Sequence, residues 1–265
     1  MFSNEKCIEL KKIDIGEMKS YSNILIIGKR GTGKTYLTTD ILFHINKNIP
    51  KGCIMSATDS RHYANIIPPS YNYDEYNSNI IEKITKDKFE TNKNICSINI
   101  NNDNNPKYHS VNNNNNDNNN DNNNNNDNNN DNNDNDSNSF LVLDNCLNGH
   151  DWKTKYLRFL LMNSKNFKHT IIVTQSYPYV TPTIRENFDY IFVLREHNER
   201  MRNKIYESFV GNLDLSFESF CQIMDQCTEN YECLVIDNSS VSYKIQEILF
   251  WYKASEHKDF CINCE

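Results

Sequence analysis

Apolar and polar positions alternate along the chain in blocks that predict a regular succession of strands and helices. Short, compact apolar runs, typical of buried strands, lie at 24–27, 52–57, 140–144, 169–175, 190–195, 232–238 and 248–254. Apolar residues at helical spacing predict helices at 35–45, 74–88, 152–163, 198–210 and 216–227. Strands that alternate with helices indicate an α/β fold, with a mostly parallel sheet covered by helices on both faces.

The first apolar run leads into a glycine-rich turn and then into a helix. The turn reads GKRGTGKT, a full match to GxxxxGK(S/T), and comprises Gly28, Lys29, Arg30, Gly31, Thr32, Gly33, Lys34 and Thr35. In such a loop the backbone N–H groups point at phosphate oxygens, and the helix N-terminus adds the positive end of its dipole. We expect Lys34 to reach the β- and γ-phosphates of ATP and Thr35 to place its hydroxyl on Mg²⁺. A glycine-rich turn without a ligand is the alternative, but strand, loop and helix occur in the order that phosphate binding requires.

The run at 140–144 delivers Asp144 to the end of a buried strand. At least one strand and one helix separate this run from the phosphate loop, which favours a RecA-like P-loop NTPase fold. In a site of that kind Asp144 would hold the Mg²⁺ shell opposite Thr35, so we predict Thr35 and Asp144 as the metal residues.

Polar residues follow two later strands and are further candidates. Gln175 ends the strand at 169–175, where a γ-phosphate sensor would lie, although a solvated strand-end amide is the alternative. Arg185 and Arg195 are each candidates for stabilising transition-state charge across a subunit boundary, Arg185 being preferred, and each could equally form a surface ion pair.

An asparagine- and aspartate-rich stretch interrupts this pattern from 101 to 139. It has almost no apolar surface to offset the entropy cost of ordering, so we predict a disordered insertion within a single P-loop domain formed by residues 1–100 and 140–265. The stretch holds seven of the 35 acidic residues and one of the 28 basic residues. The remaining 28 acidic and 27 basic residues nearly cancel, so net charge neither supports nor excludes binding to nucleic acid.

The nine cysteines show no disulfide-scaffold rhythm, and the N-terminus lacks the apolar core of a signal peptide. No run of about eighteen apolar residues occurs, so we predict an intracellular, soluble protein without a membrane span. His257, Cys261 and Cys264 have metal-like spacing, but no fourth ligand is obvious. Three cysteines at six-residue intervals are expected to be reduced, structural thiols: Cys221, Cys227 and Cys233.

Several segments together resemble the virion DNA-packaging ATPases of poxviruses and other nucleocytoplasmic large DNA viruses, in the FtsK/HerA branch of RecA-like motors. They are GKRGTGKT, LVLDNC with a following DWK, IIVTQSYP, TIRENFDYIFVLRE and FCQIMDQCTENYECLVIDN. The last, at 220–238, has no general P-loop explanation and is the most specific. The resemblance runs from about Asn23 to Ala254, apart from the insertion.

This resemblance implies ATP-driven threading of double-stranded DNA into a capsid by a homo-oligomeric ring, with capsid or portal components as further partners. It implies a location in the viral factory of the host cytoplasm and in the virion. It also implies that Lys34 and Thr35 bind nucleotide and Mg²⁺ and that Asp144 is the Walker B acid. Gln175 would be the γ-phosphate sensor, and Arg185 would be the arginine finger that acts across a subunit boundary. DNA would be held by its backbone charge, without sequence readout.

Two basic clusters are candidates for that DNA contact, although solvated helix faces are the alternative for both. They are Arg200, Arg202 and Lys204, and Lys153, Lys155 and Arg158.

One position departs from the family pattern. The family strand usually ends in two acidic residues, the second being the expected base, and here Asn145 follows Asp144. An amide can orient water but cannot accept its proton. The site would therefore lose general-base catalysis, which contributes a rate enhancement of roughly 10²–10⁴-fold. Two alternatives to the motor therefore stay open: a nucleotide-binding subunit with a structural or regulatory role, and a P-loop phosphotransferase. The latter would need clustered arginines in a lid, and the region after the second strand offers only Arg61.

Overall fold

The computed structural model of the protein describes residues 9–58, 60–87, 138–176, 180–257 and 260–262. The strands in these ranges are β1 (Lys11–Lys12), β2 (Asn23–Ile27), β3 (Lys51–Ser56), β4 (Asn72–Tyr73), β5 (Ser139–Asp144), β6 (His169–Gln175), β7 (Tyr190–Val193), β8 (Glu232–Asp237) and β9 (Leu249–Lys253). The helices are α1 (Lys34–Ile45), α2 (78–87), α3 (Lys155–Asn163), α4 (Pro182–Arg185), α5 (Glu199–Phe209), α6 (Phe217–Cys227) and α7 (Ile245–Ile248). The strands and main helices predicted from the apolar pattern are thus confirmed within these ranges, with boundaries shifted by a few residues.

These strands form one sheet in the order β1–β9–β8–β7–β2–β6–β5–β3–β4. All neighbouring pairs from β7 to β4 are parallel, whereas β8 is antiparallel to both β7 and β9. Strand β6 lies between β2 and β5, so a strand separates the glycine turn after β2 from Asp144 at the end of β5. This order confirms the predicted RecA-like fold, and it brings the carboxyl ends of β2, β5, β6 and β3 to one edge.

Strand side chains alternate between two cores, one on each face of the sheet. Leu25, Leu143 and Val173 face the core that also holds residues of α3, α4, α5 and α6. On the opposite face, Ile26 and Ile172 belong to the core that contains the buried side of α1. Helix α1 therefore has a fixed position above β2, and its first turn is held at the edge where the parallel strands end.

The predicted disordered insertion lies outside the described residues, apart from its last two positions. There the structure differs from the expectation, because Ser139 pairs with Lys51 and His169 as the first residue of β5. Asn138 is buried, and its amide donates to the Asn48 carbonyl at 3.2 Å. Both residues thus belong to the folded domain, because backbone pairing and a buried hydrogen bond repay the cost of ordering them.

The structure also bears on the cysteines and on membrane insertion. Cys221, Cys227 and Cys233 carry free thiols, as expected. Of the three residues with metal-like spacing, Cys261 is disulfide-bonded and so offers no free thiolate, whereas Cys264 lies outside the described residues. No helix in the described ranges has the length and apolar character that crossing a membrane requires.

Candidate nucleotide-binding site

The turn between β2 and α1 has the backbone geometry of a phosphate-binding loop. Gly33 immediately precedes α1 with φ of +100°, a conformation that favours glycine. A Cβ on Gly28 would lie 2.6 Å from the Thr32 hydroxyl and 2.9 Å from Leu194, so only glycine fits there. The Gly28 N–H donates to the Gln175 carbonyl at 3.0 Å, which fixes the start of the loop against β6. The loop thus leads directly into the N-terminus of a 12-residue helix, a favourable position for an anion.

Lys34, the first residue of α1, projects back over this loop. Its ammonium donates to the carbonyl oxygens of Gly28 and Lys29, at 2.7 and 3.0 Å. Burial lowers the pKa of Lys34, and the charge of Asp144 opposes this shift. Lys34 and Asp144 are therefore close enough to interact electrostatically, and both line the same cleft.

Asp144 is buried at the end of β5 and is surrounded by hydroxyl groups. The Tyr63 hydroxyl donates to its Oδ2 at 2.9 Å, and the Thr174 hydroxyl donates to its Oδ1. Burial, followed by the charge of Asp144, raises the pKa of Tyr63 well above its usual range, so Tyr63 stays protonated as a donor. Tyr63 therefore ties the turn after β3 to the Asp144 carboxylate at the end of β5.

Asn145 adopts the left-handed backbone conformation, with φ of +52°. Asparagine and aspartate tolerate this region better than most other residues. The Asn145 N–H donates to the Thr174 carbonyl at 3.1 Å, and its side-chain oxygen accepts from the Ser176 hydroxyl at 3.2 Å. The amide is thus held at the mouth of the site beside Asp144.

These elements surround one cleft of about 920 Å³. Its lining combines loop residues with the ends of β3, β5 and β6: Arg30, Gly31, Gly33, Lys34, Thr35, Tyr36, Thr39, Ala57, Thr58, His62, Asp144, Asn145, Ser176 and Tyr231. A larger cavity of about 990 Å³ lies elsewhere, beside Pro50, Tyr71 and Ile262. The smaller cleft is the better candidate for a nucleotide-binding site because residues of the phosphate loop line it.

The remaining predicted residues lie outside this cleft lining. Gln175 projects from the opposite face of the sheet to Asp144, because strand side chains alternate, and its amide donates to the Leu147 carbonyl at 3.3 Å. Arg185, at the end of α4, donates to the Ser208 hydroxyl and lies 5.7 Å from the centre of the Phe209 ring. The structure therefore brings Lys34, Thr35, Asp144 and Asn145 together, and the sensor and finger roles stay predictions.

Two charged residues that the sequence analysis assigned elsewhere are engaged within the fold. Lys29 lies 2.7 Å from the buried Glu196 carboxylate, in the segment after β7. Arg202 is only 8% exposed, and it donates to the Glu196 carbonyl at 2.6 Å and to Asp225 at 3.2 Å. Arg202 is therefore not part of an exposed basic cluster, and the DNA-contact candidate at 200–204 loses its central residue. Asp225 comes from the distinctive 220–238 segment, so one role of that segment is to hold α5 against α6.

The site also contains residues that sequence reasoning missed. Tyr63, Thr174 and Ser176 contact Asp144 or Asn145, and Tyr36 and Tyr231 form an aromatic part of the rim. The pairing of Thr174 with Asp144 across β5 and β6 could have been found only if the register of the two strands had been known.

The strand order and the geometry of the glycine-rich loop define the RecA-like P-loop fold class. The genome packaging NTPase B204 from Sulfolobus turreted icosahedral virus 2, in complex with ATP-gammaS, superimposes with a TM-score of 0.55 at 13% identity, over 89% of this chain and 99% of that one. Its complex with AMPPCP gives the same score at 12% identity, over 90% and 100%. The chain thus shares the fold of a viral genome packaging NTPase.

Sequence comparison gives the family itself. The chain is 30% identical to protein 075L of Invertebrate iridescent virus 6 over 223 residues, covering 83% of this chain and 71% of that protein. It is also 27% identical to an uncharacterized protein of Acanthamoeba polyphaga mimivirus over 262 residues, covering 96% and 80%. No established family profile matches the sequence. The chain belongs to the family of large DNA virus proteins that includes 075L, which confirms the resemblance drawn from its motifs.

Proposed function

We propose that the protein is an ATP-driven motor that moves double-stranded DNA during packaging of a viral genome into its capsid. The single observation that carries this proposal is the meeting of Thr35 and Asp144 in the lining of one cleft, together with Lys34. The viral genome packaging fold and the family of large DNA virus proteins support the same conclusion. Such a motor would work in the viral factory of the host cytoplasm and in the virion.

Within this proposal each residue of the cleft has a defined task. The loop from Gly28 to Thr35 cradles the phosphates with its N–H groups, and Lys34 turns from the loop carbonyls to the β- and γ-phosphates. The Thr35 hydroxyl and the Asp144 carboxylate supply oxygen donors of the kind that Mg²⁺ prefers, so the residues present fit this ion. When bound, Mg²⁺ would neutralise charge on the phosphate oxygens.

The aromatic rim suits the nucleoside. Tyr231 is 70% exposed and Tyr36 is 45% exposed, although both line the cleft. Exposed tyrosine rings beside a phosphate loop offer flat surfaces on which a purine can stack. We therefore assign Tyr36 and Tyr231 to the base of ATP.

The motor requires a ring of identical subunits and a non-specific grip on DNA. Arg185 would act across the subunit boundary, for which it would have to leave Ser208, and Gln175 would report on the γ-phosphate after its amide turns away from Leu147. Because the grip would rest on phosphate charge, DNA binding should weaken steeply with salt. Capsid or portal components would complete the assembly.

A specific observation favours a second function, in which the subunit binds nucleotide but hydrolyses it slowly. Among the residues that the structure describes, Asp144 supplies the one carboxylate of the cleft lining, and it is already engaged by Tyr63 and Thr174. Asn145 occupies the position of the expected base. A subunit of this kind would serve the packaging complex as a structural or regulatory component.

The test measures ATP binding and ATP hydrolysis by the full chain, with and without double-stranded DNA. Wild type should bind ATP in the presence of Mg²⁺, and Lys34→Ala should weaken binding by roughly 10- to 100-fold because a charge-assisted contact is lost. DNA-stimulated hydrolysis supports the motor, whereas binding with negligible hydrolysis supports the second function. Failure of wild type to bind ATP would refute both.

A matched pair of tyrosine variants tests the base contact. Tyr231→Ala should weaken ATP binding several-fold, whereas Tyr243→Ala should leave it unchanged, because Tyr243 is 85% exposed and lies outside the cleft lining. Equal affinities for the two variants would show that Tyr231 does not contact the base.

A further inference from the structure

A second polar cluster lies on α1, beyond the turn that serves the nucleotide cleft. Asp40 and His44 are four residues apart and therefore share one face of the helix. Asp40 is fully buried, and its Oδ1 lies 2.5 Å from Nε2 of His257 and 3.7 Å from Nε2 of His44. One donor atom from each of the three side chains lies within 4.8 Å of the others. None of the three residues lines the nucleotide cleft.

Neighbouring side chains hold this cluster in place. The Tyr252 hydroxyl donates to Oδ2 of Asp40 at 2.6 Å, so one carboxylate oxygen is fixed while the other faces the two imidazoles. The Phe43 ring stacks on His257, with centroids 3.6 Å apart and planes 11° apart, which fixes the orientation of that imidazole. A ligating carboxylate held through its second oxygen, with oriented imidazoles beside it, is the arrangement that outer-shell partners create at metal sites.

We propose that Asp40, His44 and His257 bind a zinc ion, independently of the nucleotide. Zinc is coordinated by imidazole nitrogen and carboxylate oxygen at about 2.0–2.2 Å, so its ligand atoms lie roughly 3–4 Å apart. The 3.7 Å separation of His44 from Asp40 already falls in that range, and His257 would withdraw by about 1 Å to reach the middle of it. Two imidazoles and one carboxylate favour zinc over Mg²⁺ or Ca²⁺, which prefer oxygen alone. The His44 side chain is 34% exposed, which leaves a side of the site open for water as the fourth ligand.

This site differs from the one that the sequence spacing suggested. His257 is shared, but its partners come from α1, more than 200 positions away, and not from the cysteines that follow it. Cys261 is disulfide-bonded, and the proposed ligand set needs no thiolate.

The position of the site gives it a structural consequence. His257 belongs to the segment that follows β9, and this segment is also tied to Ile66 through the Ile262 N–H at 2.7 Å. A bound ion would fasten that segment to α1, whose first turn carries Lys34 and Thr35. Zinc would therefore stabilise the helix on which the phosphate loop depends.

The experiment titrates chelator-treated, full-length protein with Zn²⁺ by calorimetry, and with Co²⁺ by visible absorption. Wild type should bind one equivalent, gain a cobalt absorption band and melt at a higher temperature with Zn²⁺. His44→Ala removes a partly exposed ligand and should lower zinc affinity by more than about tenfold, since loss of an outer-shell partner alone costs about 10–100-fold. His150→Ala is the matched control, because His150 is exposed and lies in a turn away from α1, and this variant should bind zinc as wild type does.

Tyr252→Phe tests the positioning of the carboxylate without removing a ligand. It should lower zinc affinity by about 10–100-fold while the circular dichroism spectrum stays native. Lys34→Ala should keep wild-type zinc affinity, so failure of nucleotide binding would leave this proposal standing. Absence of stoichiometric zinc binding by wild type, or equal affinity of wild type and folded His44→Ala, would overturn it.

Discussion

Replacing Asn145 by aspartate tests directly whether the missing base limits hydrolysis. The left-handed backbone at this position, with φ of +52°, is one that aspartate adopts nearly as readily as asparagine. The Ser176 hydroxyl, which donates to the Asn145 side chain at 3.2 Å, can donate equally to a carboxylate. Asn145→Asp therefore keeps the size and backbone conformation of the residue, while it adds a negative charge and a group that can accept a proton.

The size of the effect follows from what an amide already provides. General-base assistance contributes roughly 10²–10⁴ in rate, equivalent to about 3–5 kcal/mol of barrier height. Asn145 can still orient water, so only part of that gain is available, and we expect Asn145→Asp to raise turnover by at least about tenfold. The adjacent charge of Asp144 would raise the pKa of the introduced carboxyl, which brings it closer to the pH at which a base works best.

The assay is steady-state ATP hydrolysis with and without double-stranded DNA, accompanied by measurement of ATP affinity. Asn145→Gly is the control, because glycine keeps the left-handed backbone without strain and removes the side chain. It should match or fall below wild type, whereas Asn145→Asp should exceed wild type at unchanged affinity. Brisk hydrolysis by wild type with DNA, together with no gain in Asn145→Asp, would refute the idea that a missing base limits this site.

Three further measurements probe other parts of the structure. Tyr63→Phe should lower the free energy of unfolding by about 1.5–3 kcal/mol in urea denaturation, because the buried Asp144 carboxylate loses a donor at 2.9 Å, whereas Tyr71→Phe, at a residue 45% exposed, should change little. The hydrogen bond from Arg202 lowers the pKa of Asp225 below 3.8, its usual value. The stabilisation that this hydrogen bond gives is therefore complete above pH 3.8 and is lost as pH falls through the lowered pKa. Between pH 5 and 3, the melting temperature of wild type should therefore fall more than that of Asp225→Asn. Equal falls in melting temperature for the two proteins would contradict this account. Affinity for double-stranded DNA should fall more than about tenfold between 50 and 200 mM salt, and equal affinities at the two concentrations would argue against a grip on phosphate charge.

The secondary structure and the phosphate loop could be predicted because their signals are local. The apolar runs at 140–144 and 169–175 indicate buried strands independently of the rest of the chain. The glycines of the GKRGTGKT turn allow the backbone conformation of the phosphate loop. The strand order could be predicted only indirectly, from the strand and the helix that separate the phosphate loop from Asp144 in the sequence.

The contacts around Asp144 were not accessible, because they depend on tertiary placement. Tyr63 comes from a short turn after β3 that has no marked sequence pattern, yet its hydroxyl reaches the carboxylate. The sequence pointed to Gln175 as the polar end of β6, whereas Thr174 faces Asp144. The register between β5 and β6 decides which of two neighbouring residues faces the site, because a shift of one residue moves every side chain to the other face of the sheet.

The ends of the sheet bear on how copies of this chain can associate. In the described ranges, both outermost strands, β1 and β4, have only two residues, and β1 consists of two exposed lysines. Such short border strands, of which β1 is also charged, offer few free backbone groups and so hinder edge-to-edge aggregation of the sheet. They equally prevent subunits from joining by continuing the sheet from one molecule to the next. Subunits of a closed assembly would therefore have to meet through helices and loops, whose side chains can separate and rejoin during a working cycle.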